Sequence, residues 1–250
     1  KILDKEVEIE DSIMKPLISG TDAKRYKIPN TNKYLLHPYE ASGNFALLDI
    51  NLLKNNYPKA FRYLKDNEAI LRSREKNKMN TDLWYGYNYP KNLDKQTLSK
   101  IGVAQTVSDL QCFLDEKGDF FLNNVRVNGI KPINEDEVDI KYLLGILNSK
   151  VANFYFKLVG KPKDNGFFEA NKQFISPIPI KIVAHKYQIK IKLLVDKIIT
   201  AKKDDPNANT SELEKQIDHL VYKLYQLTYN EVKIIDPEFA LTEQEYLDFP

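Results

Sequence analysis

Gly145-Ile146-Leu147-Asn148-Ser149-Lys150, followed by Asn153-Phe154-Tyr155-Phe156 and then by Ser176-Pro177-Ile178-Pro179-Ile180, is the stretch whose reading decides the fold. Ile140, Leu143, Leu144, Leu147, Val151, Phe154, Tyr155 and Leu158 recur at the spacing that lays one apolar face along a helix. Asn148 and Ser149 interrupt that face. Their side chains compete for backbone groups and favour caps over helix interiors, so two helices are predicted to meet there. Asn134 and Glu137 form a capping pair for a helix from about 138. Nothing in the block is chemically reactive.

Toward the C-terminus, residues 184–203 read as an amphipathic helix through Ile189, Leu193, Ile198 and Ile199. Asp204 to Asn209 is a turn. Thr210 or Ser211 then caps a second helix through Leu213, Ile217, Leu220, Val221, Leu224 and Leu227. Two helices joined by a short polar turn make an antiparallel hairpin, and a boundary is placed near residue 182. Gly160 to Gly166 reads as a flexible basic loop.

Toward the N-terminus, residues 82–130 look β-rich. They hold the aromatic run Leu83 to Tyr87, the apolar Ile101 to Ala104, and a hairpin from Gln111–Leu114 through Asp115–Asp119 to Phe120–Leu122. Asn128-Gly129 is a further turn signal. Ile50 to Asn77 reads as helical, with Pro58 near a helix start. Lys33 to His37 is a strand ended by Pro38, and Thr21 or Asp22 caps a turn presenting Lys24 and Arg25. The fold class expected is mixed α+β: a small β-rich core with helices over 1–182, then a helical hairpin and acidic tail over 183–250.

Bulk properties narrow the classes. With 42% hydrophobic residues in 250, a real core is affordable and global disorder is excluded. The single cysteine, Cys112, excludes an intrachain disulfide or a multi-cysteine zinc site. No apolar run approaches the ~20 residues that span a bilayer, and the start Lys1-Ile2-Leu3-Asp4-Lys5 turns acidic too soon for a signal peptide; a cytoplasmic setting is expected. The missing initiator Met suggests a piece of a longer protein. Net charge is only +2, but residues 54–100 carry eleven basic against five acidic side chains, and 204–250 eleven acidic against three basic. A basic stretch releases phosphate counterions, the sequence-independent part of DNA affinity.

Four stretches, in order, carry a family resemblance: Pro16 to Tyr26, with Gly20, Asp22 and the pair Arg25-Tyr26; Leu71-Arg72-Ser73-Arg74 followed by Trp84-Tyr85-Gly86; Tyr142 to Lys150 and on to Pro179; and Ile217 to Thr228 with Glu231. Together they resemble the TaqI-like target-recognition (specificity) domain found C-terminal to the catalytic domain in adenine-N6 DNA methyltransferases and fused type II restriction-modification enzymes, related to type I specificity subunits. The sequence departs from that pattern at Tyr87 and Asn88, where many relatives have Arg or His, and before Lys100, where the usual proline is missing; no target sequence transfers.

The resemblance implies sequence-specific duplex DNA recognition. It also implies a partner methyltransferase domain on the same parent chain, using S-adenosylmethionine to methylate a flipped adenine. This fragment itself is expected to be no enzyme and to bind no cofactor or metal. It has no Pro-Pro pair for an adenine methyltransferase loop and no glycine-rich cofactor turn. Asp115-Glu116-Lys117 reads as a hairpin turn rather than a nuclease site, and His37, His185 and His219 show no metal spacing.

DNA contacts are expected from side chains suited to base edges and phosphates: Lys24, Arg25, Arg72, Arg74, Lys76, Lys78, Tyr87, Asn88, Lys91, Lys100, Lys161, Lys163 and Asn165. Arg25, Arg72 and Arg74 lead, because the chain prefers Lys elsewhere and the two cations are not interchangeable. Trp84 and Tyr85 are expected to anchor the core, and Tyr222 and Tyr225 to pack. The alternative is a protein-interaction or scaffold module of a phage-defence assembly, favoured by the acidic helical tail.

Overall fold

The computed structural model describes residues 5–41 and 43–249, so Lys1–Asp4 of the opening read above lie outside the described residues. In chain order come strands β1 (Met14–Ile18) and β2 (Tyr34–Leu36), then helices α1 (Ile50–Asn56), α2 (Pro58–Asp66) and α3 (Glu68–Arg72) and the short segments α4 (Arg74–Asn77) and α5 (Leu93–Gln96). Strands β3 (Lys100–Ala104), β4 (Thr106–Val107), β5 (Phe113–Asp115), β6 (Phe121–Leu122) and β7 (Val127–Ile130) follow, then α6 (Ile140–Asn148) and α7 (Lys150–Val159). The chain ends with β8 (Lys161–Pro162), β9 (Phe168–Glu169), α8 (Lys172–Ile175), α9 (His185–Asp204), α10 (Ser211–Leu224), α11 (Tyr229–Ile235) and α12 (Glu243–Asp248). This is the mixed α+β class.

The chain forms two compact units: residues up to Leu17 with Thr31–Leu98 and Lys117–Phe121, and Ile18–Asn30 with Ser99–Glu116 and everything from Leu122. In the first, β1 and β2 pair antiparallel, Met14 opposite Leu36. Asp49 caps α1, accepting from the Asn51 and Leu52 amides at 2.8 and 3.3 Å. The helix expected over 50–77 is broken. Tyr57, kept out of helical backbone ahead of proline at φ −136° and ψ 60°, separates α1 from α2, whose first residue is Pro58; Asn67 ends α2. Ile13, Leu53, Ala60, Leu64, Trp84 and Tyr85 form the core, so both aromatic anchors are where the sequence places them. Residues 83–87 are not a strand. Arg74 takes the Trp84 and Gly86 carbonyls, at 2.6 and 3.0 Å, that a neighbouring strand would otherwise bond.

In the second unit, β3 is buried along its length between antiparallel β5 and β7. Gly102 is required there: a Cβ would lie 2.2 Å from Cζ of its cross-strand partner Phe113. The hairpin expected over 111–122 does not form, because β5 pairs with β3 while β6 belongs to the sheet ordered β2-β1-β6. Asn128-Gly129 lies within β7 rather than in a turn. The 160–166 segment is part of a β8–β9 hairpin, Lys161 opposite Glu169, with β4 on the far side of β9. Asp22 caps no helix; its carboxylate accepts from the Ser19 amide and hydroxyl, each at 2.8 Å, and closes a turn.

Helix α6 starts at Ile140 with Asp139 as its cap, not at 138 behind Asn134; the carboxylate accepts from the Lys141 and Tyr142 amides. The break at Asn148-Ser149 is real. Ser149 ends α6 and caps α7 through the Ala152 amide. Asn148, fully buried, accepts from the Cys112 amide at 2.9 Å and donates to its carbonyl at 3.0 Å. Asn153 accepts from the Leu110 amide, and Lys150 donates its amide to Asp218 and its ammonium to Asp236. Gly145 admits α9: a Cβ would lie 2.5 Å from Ile191 Cγ2. Helix α9 packs on α6, and α10 packs on both α9 and α7, so these helices belong to the same compact unit as the segment ahead of residue 182. Tyr222 packs as expected with Val232, Phe239 and Tyr246, and the Tyr225 hydroxyl donates to the Pro179 carbonyl.

Candidate nucleic-acid interface

In the first unit the basic stretch is organised by two arginines that face inward. Arg72 donates to Glu68 at 2.8 Å and to the Thr81 carbonyl at 2.7 Å, and stacks over Trp84. Arg74 donates to the carbonyls of Leu71, Trp84 and Gly86, and burial holds its pKa below the ordinary arginine value. Between them and the 84–89 loop, Glu75, Lys76 and Asn77 adopt left-handed backbone, φ of 51°, 56° and 69°. Such a run costs roughly 1–2 kcal/mol per residue without glycine. It is held by the Glu75 carboxylate, which accepts from the Tyr89 hydroxyl at 3.1 Å and the Asn88 amide at 3.4 Å. The turn leaves Lys76 and Lys78 exposed, with Lys91 exposed farther along. Tyr87 is corrected as a contact residue: its hydroxyl donates to the Leu36 carbonyl and meets His37 Nδ1 at 3.1 Å, and burial raises its pKa.

In the second unit Lys100 is also corrected. It is buried and paired with Asp115 at 2.5 Å across β3 and β5. Arg25 sits 2.6 Å from Glu214 and over the Tyr26 ring, a charge contact whose Nε–H is not aimed along it. Lys24 is exposed. Lys161 and Lys163, two apart on β8 and its extension, fall on one side of the hairpin. Asn165 sits at its tip with φ 58°.

The structure adds residues that the sequence reading missed. A shallow open groove of about 570 Å³ is lined by Asn128 of β7 and by Asn171, Lys172, Gln173 and Ser176 around α8. Asn128 donates to the Ala170 carbonyl at 2.7 Å, and Asn171 accepts from the Gln173 amide and donates to Glu169. Arg126, two residues before Asn128, is exposed and has no side-chain partner among the described residues. It is one of five arginines, so the rarity that selected Arg25, Arg72 and Arg74 pointed to it equally. Lys172 and Gln173 carry no such signal; only the placement of α8 beside β7 brings them to the groove.

A family model, the TaqI-like C-terminal specificity domain, matches residues 15–180. The chain belongs to that family. Type II methyltransferase M.BstVI of Geobacillus stearothermophilus is 22% identical over 235 residues, covering 92% of this chain and 37% of the methyltransferase. The solved structure of the Type IIL restriction-modification enzyme MmeI in complex with DNA matches with a TM-score of 0.61 at 13% identity, covering 96% of this chain and 32% of that one. At that identity the likeness is one of fold. This specificity-domain chain therefore spans about a third of the length of these two relatives, and the family match stops at Ile180, ahead of α9.

Proposed function

We propose that this specificity domain reads duplex DNA sequence for an adenine-N6 methyltransferase of a type II restriction-modification system, acting from the cytoplasm. The family match carries the reading, and the exposed cations and amides give it a surface. Lys76, Lys78, Lys91 and Asn88 of the first unit, and Lys24, Lys161, Lys163 and Asn165 of the second, are the contact residues that remain open to solvent in whole or part. Arg25, Arg72 and Arg74 act chiefly by shaping the loops that carry them. Residues 1–182 would read the target. Helices α9 and α10 would set the spacing to the methyltransferase domain of the parent chain.

S-adenosylmethionine is expected in the parent's catalytic domain rather than in this specificity domain. The groove by α8 has no aromatic wall and no carboxylate lining it. The pocket around His37, Tyr39 and Tyr57 holds about 90 Å³, against roughly 300 Å³ for a cofactor-sized site. No group of three or more metal-ligating side chains occurs among the described residues, and no helix there is long and apolar enough to cross a membrane.

A second reading, a protein-interaction module without base reading, draws support from Tyr187, Ile189 and Leu193, exposed on α9. Selection of a randomised duplex library by this chain at physiological salt tests both. An enriched motif establishes sequence reading; retention without a motif, or none, overturns it in favour of phosphate holding or scaffolding.

A further inference from the structure

We infer that the groove between β7 and α8 is a base-reading site, with Gln173 contacting the major-groove edge of an adenine and Lys172 holding an adjacent phosphate. The inference rests on the DNA-reading function proposed above and names its specificity residues. All five residues lining the groove end in polar groups, on apolar stems that make up most of its surface, and none is aromatic or acidic. A flipped base or an isolated nucleotide is gripped by stacking on aromatic rings, and a small ligand by an enclosed pocket. This groove offers neither, and its open shape suits the edge of a duplex.

Its side chains divide into two sets. Asn128 and Asn171 are fixed by bonds to Ala170, Glu169 and the Gln173 amide, so the backbone carrying the other set is rigidly placed. Lys172, Gln173 and Ser176 are exposed, and their side chains have no hydrogen-bond or ion-pair partner among the described residues. Outward-facing polar groups on a fixed frame are what direct readout requires. A carboxamide presents one donor and one acceptor in a plane, matching N7 and the N6 amino group of adenine; an ammonium suits phosphate. Arg126 stands two residues before Asn128, and Lys161 and Lys163 lie on the β8 edge of the sheet whose strand β9 leads into the groove. These cations supply phosphate contacts on the same unit.

The test compares library selections by the unaltered chain and by Gln173→Ala, Gln173→Arg and Lys172→Ala, each first checked for native far-UV circular dichroism. Gln173→Ala is expected to flatten one position of the enriched motif, by roughly 5–150-fold in discrimination, and to leave the others unchanged. Gln173→Arg is expected to move that position toward guanine. Lys172→Ala should weaken all sequences alike and lower the salt slope by about one. If the unaltered chain enriches a motif and both Gln173 variants keep every position within twofold, the groove assignment is overturned while the DNA-reading function stands. If the unaltered chain enriches no motif, the function itself falls and this inference with it.

Discussion

Asn148→Ala is expected to destabilise the chain by about 2–4 kcal/mol. The side chain is fully buried and bonds both backbone groups of Cys112, itself fully buried. The two losses are unequal. The Cys112 carbonyl also accepts from the Tyr26 amide at 2.9 Å, so it keeps a partner. The Cys112 amide has no other partner among the described residues and becomes a buried orphan donor. An orphaned buried donor costs roughly 1–3 kcal/mol, and a second lost bond about 0.5–1.5. Urea unfolding followed by far-UV circular dichroism measures the sum, and a thermal melt should fall by roughly 5–15 °C for a unit of this size. Asn148→Asp sharpens the test. Its carboxylate still accepts from the amide but faces the carbonyl without a proton to donate. It should be worse than Ala at neutral pH and recover on acidification, when the protonated acid can donate. An Ala variant within 0.5 kcal/mol of the unaltered chain, or an Asp variant indifferent to pH, refutes the reasoning.

Other predictions address charge and strain. Burial pushes the Asp218 carboxyl up to about 6, above its ordinary 3.8, so the native state binds this proton more tightly than the unfolded chain and stability falls as pH rises from about 4 to about 6. Asp218→Asn keeps an oxygen for the Lys150 amide and should gain on the unaltered chain across that window; parallel stability curves would count against it. Lys76→Gly relieves one left-handed residue and should raise stability by about 0.5–1 kcal/mol while lowering DNA affinity, whereas Lys76→Ala should lower affinity without the gain; denaturation and salt-dependent binding separate the two effects. Lys100→Met removes the ammonium paired with the buried Asp115 carboxylate and should cost roughly 3–5 kcal/mol in denaturant, largely restored in the Lys100→Met, Asp115→Leu double variant.

What the sequence made legible was local. The apolar spacing through Leu147 and Val151, the cap at Ser149 and the turn before Thr210 are governed by neighbours within a few residues, and the structure has them. What it hid was partnership. Period-two patterning shows that Phe113 and Phe121 belong to strands, but not that the first pairs with Ile101–Gly102 and the second with another sheet. The aromatic run at 83–87 has strand composition; a guanidinium ten residues away in sequence took its carbonyls instead.

The same logic explains the arginines. Arginine's planar fork is chosen wherever several acceptors must be bonded at once, and carbonyls inside a loop meet that condition as well as guanine does. Rarity singled out Arg72 and Arg74 as DNA contacts, and the structure shows both bonded to acceptors of their own loops. The family-marking residues behave alike. Asn148, Ser149, Lys150 and Asn153 bond backbone or buried carboxylates of their own unit, a geometry that stays the same whatever DNA is read, so it leaves a motif. The side chains of Gln173 and Lys172 have no hydrogen-bond or ion-pair partner among the described residues. In the groove reading Gln173 answers to a base pair and Lys172 to a phosphate, both outside the chain, and no rule of folding writes that into a single sequence. The side chains easiest to recognise are consequently the frame, and those that would decide the target are found only once the frame is built.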